Sequence, residues 1–170
     1  GKNYKNNFLN EKIKKYKKYK NFRVIGMGGS ILGTQAIYQF LKHKIKKNFL
    51  FIDNLQPVIE KDNKKYLNLV VSKSGNTIET IANVNTRIKK KDKNIFITEN
   101  KKNNLYLLAQ KLKSEIIHHH NYIGGRYSVL SEVGMLPAEL MGLKTNKFKQ
   151  FNLLIKNKNF LESLVLNVGV

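Results

Sequence analysis

The chain contains no cysteine. Disulfides and thiolate metal sites are therefore excluded. It also lacks an apolar run of the roughly 20 residues that a bilayer-spanning helix needs, so no membrane association is expected. Acidic residues are scarce, 11 against 32 basic ones, for a formal charge of +21. Arginine is scarcer still: Arg23, Arg87 and Arg126 are the only three, and every other basic residue is lysine. No signal peptide is visible, and a cytoplasmic location is the default expectation, although the chain opens at Gly1 rather than methionine.

What is present is enough for a packed domain. The length of 170 residues and a hydrophobic content of 41% suit one fold with a real core. So large a positive charge ordinarily raises nucleic acid as a partner. Three features argue against it. The excess is lysine, not the arginine that reads guanine and phosphate by paired hydrogen bonds. The lysines are spread along the whole chain. Asparagine is enriched beside them, as in Lys156-Asn157-Lys158-Asn159, which points to a coding bias toward A/T-rich codons. The charge can still draw anionic metabolites toward a cleft.

Strand-like and helix-like segments alternate. Helical spacing is expected over Phe8–Tyr19, Ile31–Leu41, Thr77–Ile88, Leu105–Leu112, Val129–Met141 and Phe148–Leu166. Short, continuously apolar strands are expected at Phe22–Met27, Phe49–Ile52, Leu67–Val71, Asn94–Thr98 and Glu115–Ile117. Such a pattern predicts an α/β fold, a three-layer α/β/α sandwich around a five-stranded, mostly parallel sheet. The expected division is an N-terminal helix over 1–21, a binding domain over 22–144 and a helical connection over 145–170. No internal repeat stands out.

Ligands of such folds bind beyond the carboxyl ends of the strands. Three distinctive loops fall at that edge. Ser72-Lys73-Ser74-Gly75-Asn76-Thr77 runs into a helix, and its hydroxyls, glycine and free helix amides suit a phosphate. Simple capping by Ser74 or Asn76, with Glu79 facing the helix dipole, is the competing reading. Gly26-Met27-Gly28-Gly29-Ser30-Ile31-Leu32-Gly33 allows close backbone approach and offers Ser30 as a hydroxyl contact. It misses the Gly-x-Gly-x-x-Gly spacing of a dinucleotide loop. Asp53, where a ribose-binding acid would sit, keeps a nucleotide reading as an alternative. Gly124-Gly125-Arg126-Tyr127-Ser128 places one of the three arginines after a tight turn. Its planar fork suits an oxyanion, although an ordinary surface turn would read the same.

Other titratable residues carry less. His118-His119-His120 alternate across a strand and so do not converge on one metal. One or two solvated histidines at a strand end are expected, no metal is assigned, and His43 is expected to be exposed. Glu132 and Glu139 fall on one helix face, where solvated or capping roles are expected.

Taken together, the three loops resemble glucose-6-phosphate isomerases. The matching segments are 26–33, 72–80 and Asn121-Tyr122-Ile123-Gly124-Gly125-Arg126-Tyr127-Ser128-Val129-Leu130-Ser131-Glu132-Val133-Gly134. The second is shared by sugar-isomerase (SIS) domains generally, and the third is the family-specific one. It departs from the usual pattern at Glu132, where a small residue is common. The resemblance spans about residues 22–150. It implies a SIS fold that uses no cofactor. Ser72, Ser74 and Thr77 would hold the substrate phosphate beside the Lys73 backbone. Gly29 and Ser30 would contact the sugar, with Gly125 also at the substrate. Arg126 would stabilise the enediolate of an aldose–ketose isomerisation between glucose 6-phosphate and fructose 6-phosphate through a cis-enediol. The family's glutamate base, ring-opening histidine and C-terminal lysine have no matching motif here. The resemblance therefore implies the N-terminal portion of a longer, homodimeric enzyme, inactive alone. A non-catalytic SIS domain that senses a sugar phosphate, and a dual phosphoglucose/phosphomannose isomerase, are the alternatives.

Overall fold

A computed structural model describes residues 4–8, 10–55, 64–89 and 91–168. Five strands form one sheet: β1 (Asn21–Gly26), β2 (Asn48–Ile52), β3 (Tyr66–Val71), β4 (Lys93–Glu99) and β5 (Glu115–His119). The order is β2-β1-β3-β4-β5, and every pairing is parallel. The expected α/β architecture is present, with the sheet wholly rather than mostly parallel. All five expected strands exist, and β5 runs two residues further than its apolar stretch, through His118 and His119.

Helices cover both faces, as parallel strands require. On one face, Ile25, Ile52, Val70 and Phe96 pack with Val84 of α3 (Ile78–Arg87) and with Leu105 and Ala109 of α4 (Asn104–Lys111). On the other, Phe22 stacks on Phe49 at 4.7 Å, and Tyr38 of α2 (Leu32–Phe40) leans on Phe49 and Phe51. α5 (Glu132–Met141) packs on α2 and is buried along almost its whole length, which fits its apolar sequence. The short α1 (Asn10–Lys14) buries Ile13. It replaces the longer helix expected over 8–19, of which Leu9 lies outside the described residues.

Pro137 inside α5 shows how side chains repair a backbone. Proline has no N–H, so the Val133 carbonyl loses its helical donor. The Thr34 hydroxyl of α2 donates to that carbonyl instead, at 3.1 Å. The same bond ties α2 to α5, and each helix begins beside one of the three loops. α5 ends on Gly142, whose φ of 90° and the paired bonds from Gly142 and Leu143 to Glu139 and Ala138 close a Schellman cap.

Two of the three arginines are structural. Arg23 donates to Asn68 Oδ1 and to the Arg87 carbonyl, each at 3.2 Å, and lies over the Tyr66 ring. Asn68 donates on to Asn94 at 2.8 Å. Strand register brings Arg23, Asn68 and Asn94 level, so one polar row crosses three strands inside the core. Arg87 is buried as well.

Residues 6–143 form this compact unit. Among the described residues, 144–168 group with 4–5 in a second one. Its described helices are a 3-10 segment at Thr145–Gln150, α6 (Phe151–Ile155) and α7 (Lys158–Val168), where one helix was expected over 148–166. The Asn157 side chain accepts from the Phe160 amide at 3.1 Å, which starts α7. No helix among the described residues is long and apolar enough to cross a membrane.

Candidate functional site

The strand order reverses between β1 and β3. β1 leads outward to β2, and β3 leads the other way to β4, so a crevice opens at their carboxyl ends. Gly26 and Val71 are paired at that point. The loops that follow them, 26–31 and 72–77, therefore flank the crevice. The loop after β5 reaches back to join them.

The 72–77 loop is shaped by its own polar groups. The Ser72 hydroxyl accepts from the Gly75 amide at 3.2 Å and shares a hydrogen bond with Thr77 Oγ1 at 3.0 Å. Ser74 Oγ accepts from the Asn76 amide at 3.3 Å. Gly75 has φ +67°, and its missing side chain leaves room for Asn103. Asn103 is itself fixed, since it caps α4 and donates to Thr98 Oγ1 at 3.0 Å. Thr77, not Ser74 or Asn76, is the N-cap residue of α3, and no side chain makes a capping bond there. The capping alternative is thereby corrected. The serine oxygens accept within the loop itself, and Thr77 makes no side-chain capping bond to the first amides of α3, which is the arrangement that binds anions. Only one hydroxyl proton is used between Ser72 and Thr77, so the other remains available to donate. Ser72 is buried, Thr77 half-buried and Ser74 exposed.

Lys73 points elsewhere. Its ammonium donates to the Asn121 carbonyl at 2.7 Å and lies 3.7 Å from Glu99. The side chain thus links this loop to the start of the 121–131 loop, and only the Lys73 backbone belongs to the cradle.

The other two loops meet backbone to backbone. Gly28–Ser30 forms a 3-10 turn, with Gly28 at φ +51°. A dinucleotide loop would start its α-helix here, whereas α2 begins only at Leu32. A Cβ on Gly29 would strike the Gly125–Arg126 peptide, so this contact requires glycine. Ser128 Oγ reaches the Gly125 carbonyl at 2.6 Å and the Gly29 carbonyl at 3.2 Å, fixing both turns. Ser131 then caps α5, donating to the Ser128 carbonyl at 2.6 Å. On the resulting 3-10 turn, Gly125–Leu130, Arg126 is exposed. It is the one arginine of the three that the core does not bury.

The structure overturns one expectation about titratable residues. Glu132 is neither solvated nor a cap, and it meets His119, the buried one of the three histidines, while His118 and His120 are half-buried. The His119 and Glu132 side chains are 1% and 0% exposed and meet at 2.7 Å, Nδ1 to Oε1. Extension of β5 through 119 turns that ring inward. Glu139, by contrast, pairs with Lys17 at 3.0 Å. Asn121, Ser128 and Asn103 were assigned no role from the sequence. Asn121 and Ser128 lie inside the matching segment 121–134, whereas nothing in the sequence marks Asn103. A separate cavity of about 640 Å³ opens among Lys15, Lys93, Asn94 and Glu115. It lies at the amino ends of β4 and β5, opposite the crevice in which ligands of this architecture bind.

A parallel sheet with its loops gathered at the switch point is the frame of the SIS-type α/β/α domains, and solved structures share it. A hypothetical protein of Thermus thermophilus superposes with a TM-score of 0.76 at 23% identity, over 93% of this chain and 45% of that one. The tagatose-6-phosphate ketose/aldose isomerase of Escherichia coli gives 0.66 at 15% identity, over 92% and 47%. The Vibrio vulnificus NanR protein complexed with ManNAc-6P gives 0.52 at 17%, over 94% and 58%.

The sequence narrows the class further. Residues 9–163 match the family model described as phosphoglucose isomerase. The glucose-6-phosphate isomerase of Methanocaldococcus jannaschii is 36% identical over 94% of this chain, and that of Borreliella afzelii 39% identical over 71%. The chain belongs to the phosphoglucose isomerase family. It spans 44% and 26% of the lengths of those two relatives.

Proposed function

We propose that this chain is the sugar-phosphate-binding part of a glucose-6-phosphate isomerase, which interconverts glucose 6-phosphate and fructose 6-phosphate. The observation that carries the reading is the uncapped start of α3, ringed by Ser72, Ser74 and Thr77. Their hydroxyls and the helix amides would hold the phosphate. Gly29, Ser30 and Gly125 would line the sugar where two backbones touch. Family membership supplies the substrate class, and the sugar-phosphate names of two fold neighbours agree with it.

In the reaction, a base would move a proton between C2 and C1 through a cis-enediol. Arg126 would stabilise the charge that develops, as a permanently charged donor. Phosphate held at a distance from the reacting carbons would supply positioning. The base, the ring-opening histidine and the C-terminal lysine would come from outside these 170 residues. Segment 145–170 would connect to a second SIS domain, and the whole protein would be a cytoplasmic homodimer. The test is fructose 6-phosphate binding by this chain and its Ser74→Ala variant, measured by calorimetry. About tenfold weaker binding is expected, the loss of one charge-assisted hydrogen bond. Unchanged affinity would remove the phosphate site.

A further inference from the structure

Glu132 is fully buried at the first residue of α5. Its Oε1 takes two donors from the end of β5: the His119 ring at 2.7 Å and the His120 amide at 3.2 Å. Because Oε1 accepts from the His120 amide, a carboxylate there fixes the His119 proton on Nδ1. His119 Nε2 is buried and has no hydrogen-bond partner in the structure. A buried acid–base pair of this kind is costly to desolvate and tolerable only as a pair.

The pair also stands at a particular place. His119 ends β5 and Glu132 begins α5, so their contact clamps the two ends of the loop 120–131. Within that loop a relay runs from Ser131 to the Ser128 carbonyl, and from Ser128 to the Gly125 and Gly29 carbonyls. Lys73 holds the loop from the other side through Asn121. We infer that His119 and Glu132 are positioning residues that set the Gly125–Arg126 turn against Gly29, and so fix the sugar end of the site and not its phosphate end. The inference rests on the proposed sugar-phosphate site.

The experiment uses the 170-residue chain with E132Q, E132A and the double variant H119L/E132A. Two ligand-free readouts are amide hydrogen exchange at Tyr127 and Ser131, whose N–H groups bond to the Gly124 and Ser128 carbonyls at 3.0 and 2.9 Å. Calorimetry then compares fructose 6-phosphate with inorganic phosphate. In the double variant the imidazole that E132A strands without its acceptor is gone, and only the His120 amide loses a partner, so stability recovers in part relative to E132A. Loop exchange should still quicken about tenfold and fructose 6-phosphate affinity fall about tenfold, with inorganic phosphate changed less than about twofold. E132Q keeps an acceptor oxygen and should stay within about threefold of the unmodified chain in loop exchange. Should the double variant not fold, E132A against E132Q gives the same contrast. The inference is overturned by unaltered loop exchange in the double variant, by quickened exchange with unaltered sugar affinity, or by an E132Q chain as fast as E132A. An unmodified chain that binds no fructose 6-phosphate, while the loop effect persists, overturns the sugar-phosphate reading alone.

Discussion

The loops 72–77 and 120–131 face the same crevice but hold their shapes by different means. The first is shaped by its own serines and by one neighbouring segment, 97–105, which bonds to the Lys73 and Gly75 carbonyls and to Asn76. Its serines bond to amides two and three residues on, and it presents a helix start directly. The second is held from elsewhere in the chain: Gly29 by backbone contact, His119 through Glu132, Lys73 through Asn121. A loop shaped by its own serines and one adjoining segment depends on few remote residues. A loop held by remote partners is only as well placed as those partners. This asymmetry suits the proposed chemistry, in which phosphate binding needs a local cradle and charge stabilisation needs a group aimed from outside.

Four substitutions test the contrast. The largest effect is expected for Gly29→Val, which drives a branched side chain into the Gly125–Arg126 peptide. Overpacking of this kind costs up to about 3 kcal/mol. Urea denaturation should show it as a lower midpoint at unchanged slope, and a loss under about 1 kcal/mol would mean the two loops part freely. Next comes Gly75→Ala, which meets both a φ of +67° and the Asn103 side chain. About 2 kcal/mol is expected from left-handed strain and displacement. The same substitution made on an Asn103→Ala background should cost less, and equal costs would show that strain alone decides.

Thr34→Val is the third. It withdraws the hydroxyl that serves the Val133 carbonyl above Pro137 and should cost about 1–2 kcal/mol. Pairing it with Pro137→Ala, which restores the helical donor, should recover most of that loss. Smallest in stability is Arg126→Lys. The side chain is exposed, so thermal unfolding should shift by no more than about 0.5 kcal/mol. In the proposed full-length isomerase, turnover should nonetheless fall much further than substrate affinity, because lysine keeps the charge but loses the planar fork. Equal losses would place Arg126 on the bound substrate and not on the enediolate.

How far each region could be read follows the same division. The parallel sheet was legible because continuous apolar strands leave no exposed face, and five short runs of that kind imply helices on both sides. The cradle was legible because Ser72, Ser74 and Thr77 lie within six residues of one another and act on their own backbone. Short-range spacing could not show that Arg23 would align with Asn68 and Asn94, since that depends on strand register. Nor could it show that β5 would continue through two histidines, because the apolar signal ends at Ile117 while the ladder with β4 runs on to Glu99–His119.

The sequence by itself determined the alternation of strands and helices, the family and the chemical character of the three loops. These depend on residue types and spacings that act locally or repeat along an element. Only the tertiary structure decided which arginine faces solvent, that Thr34 repairs α5, and that His119 and Glu132 share one buried bond. Each of these joins residues distant in sequence or turns on which side of a strand faces the core, and packing alone selects such pairs.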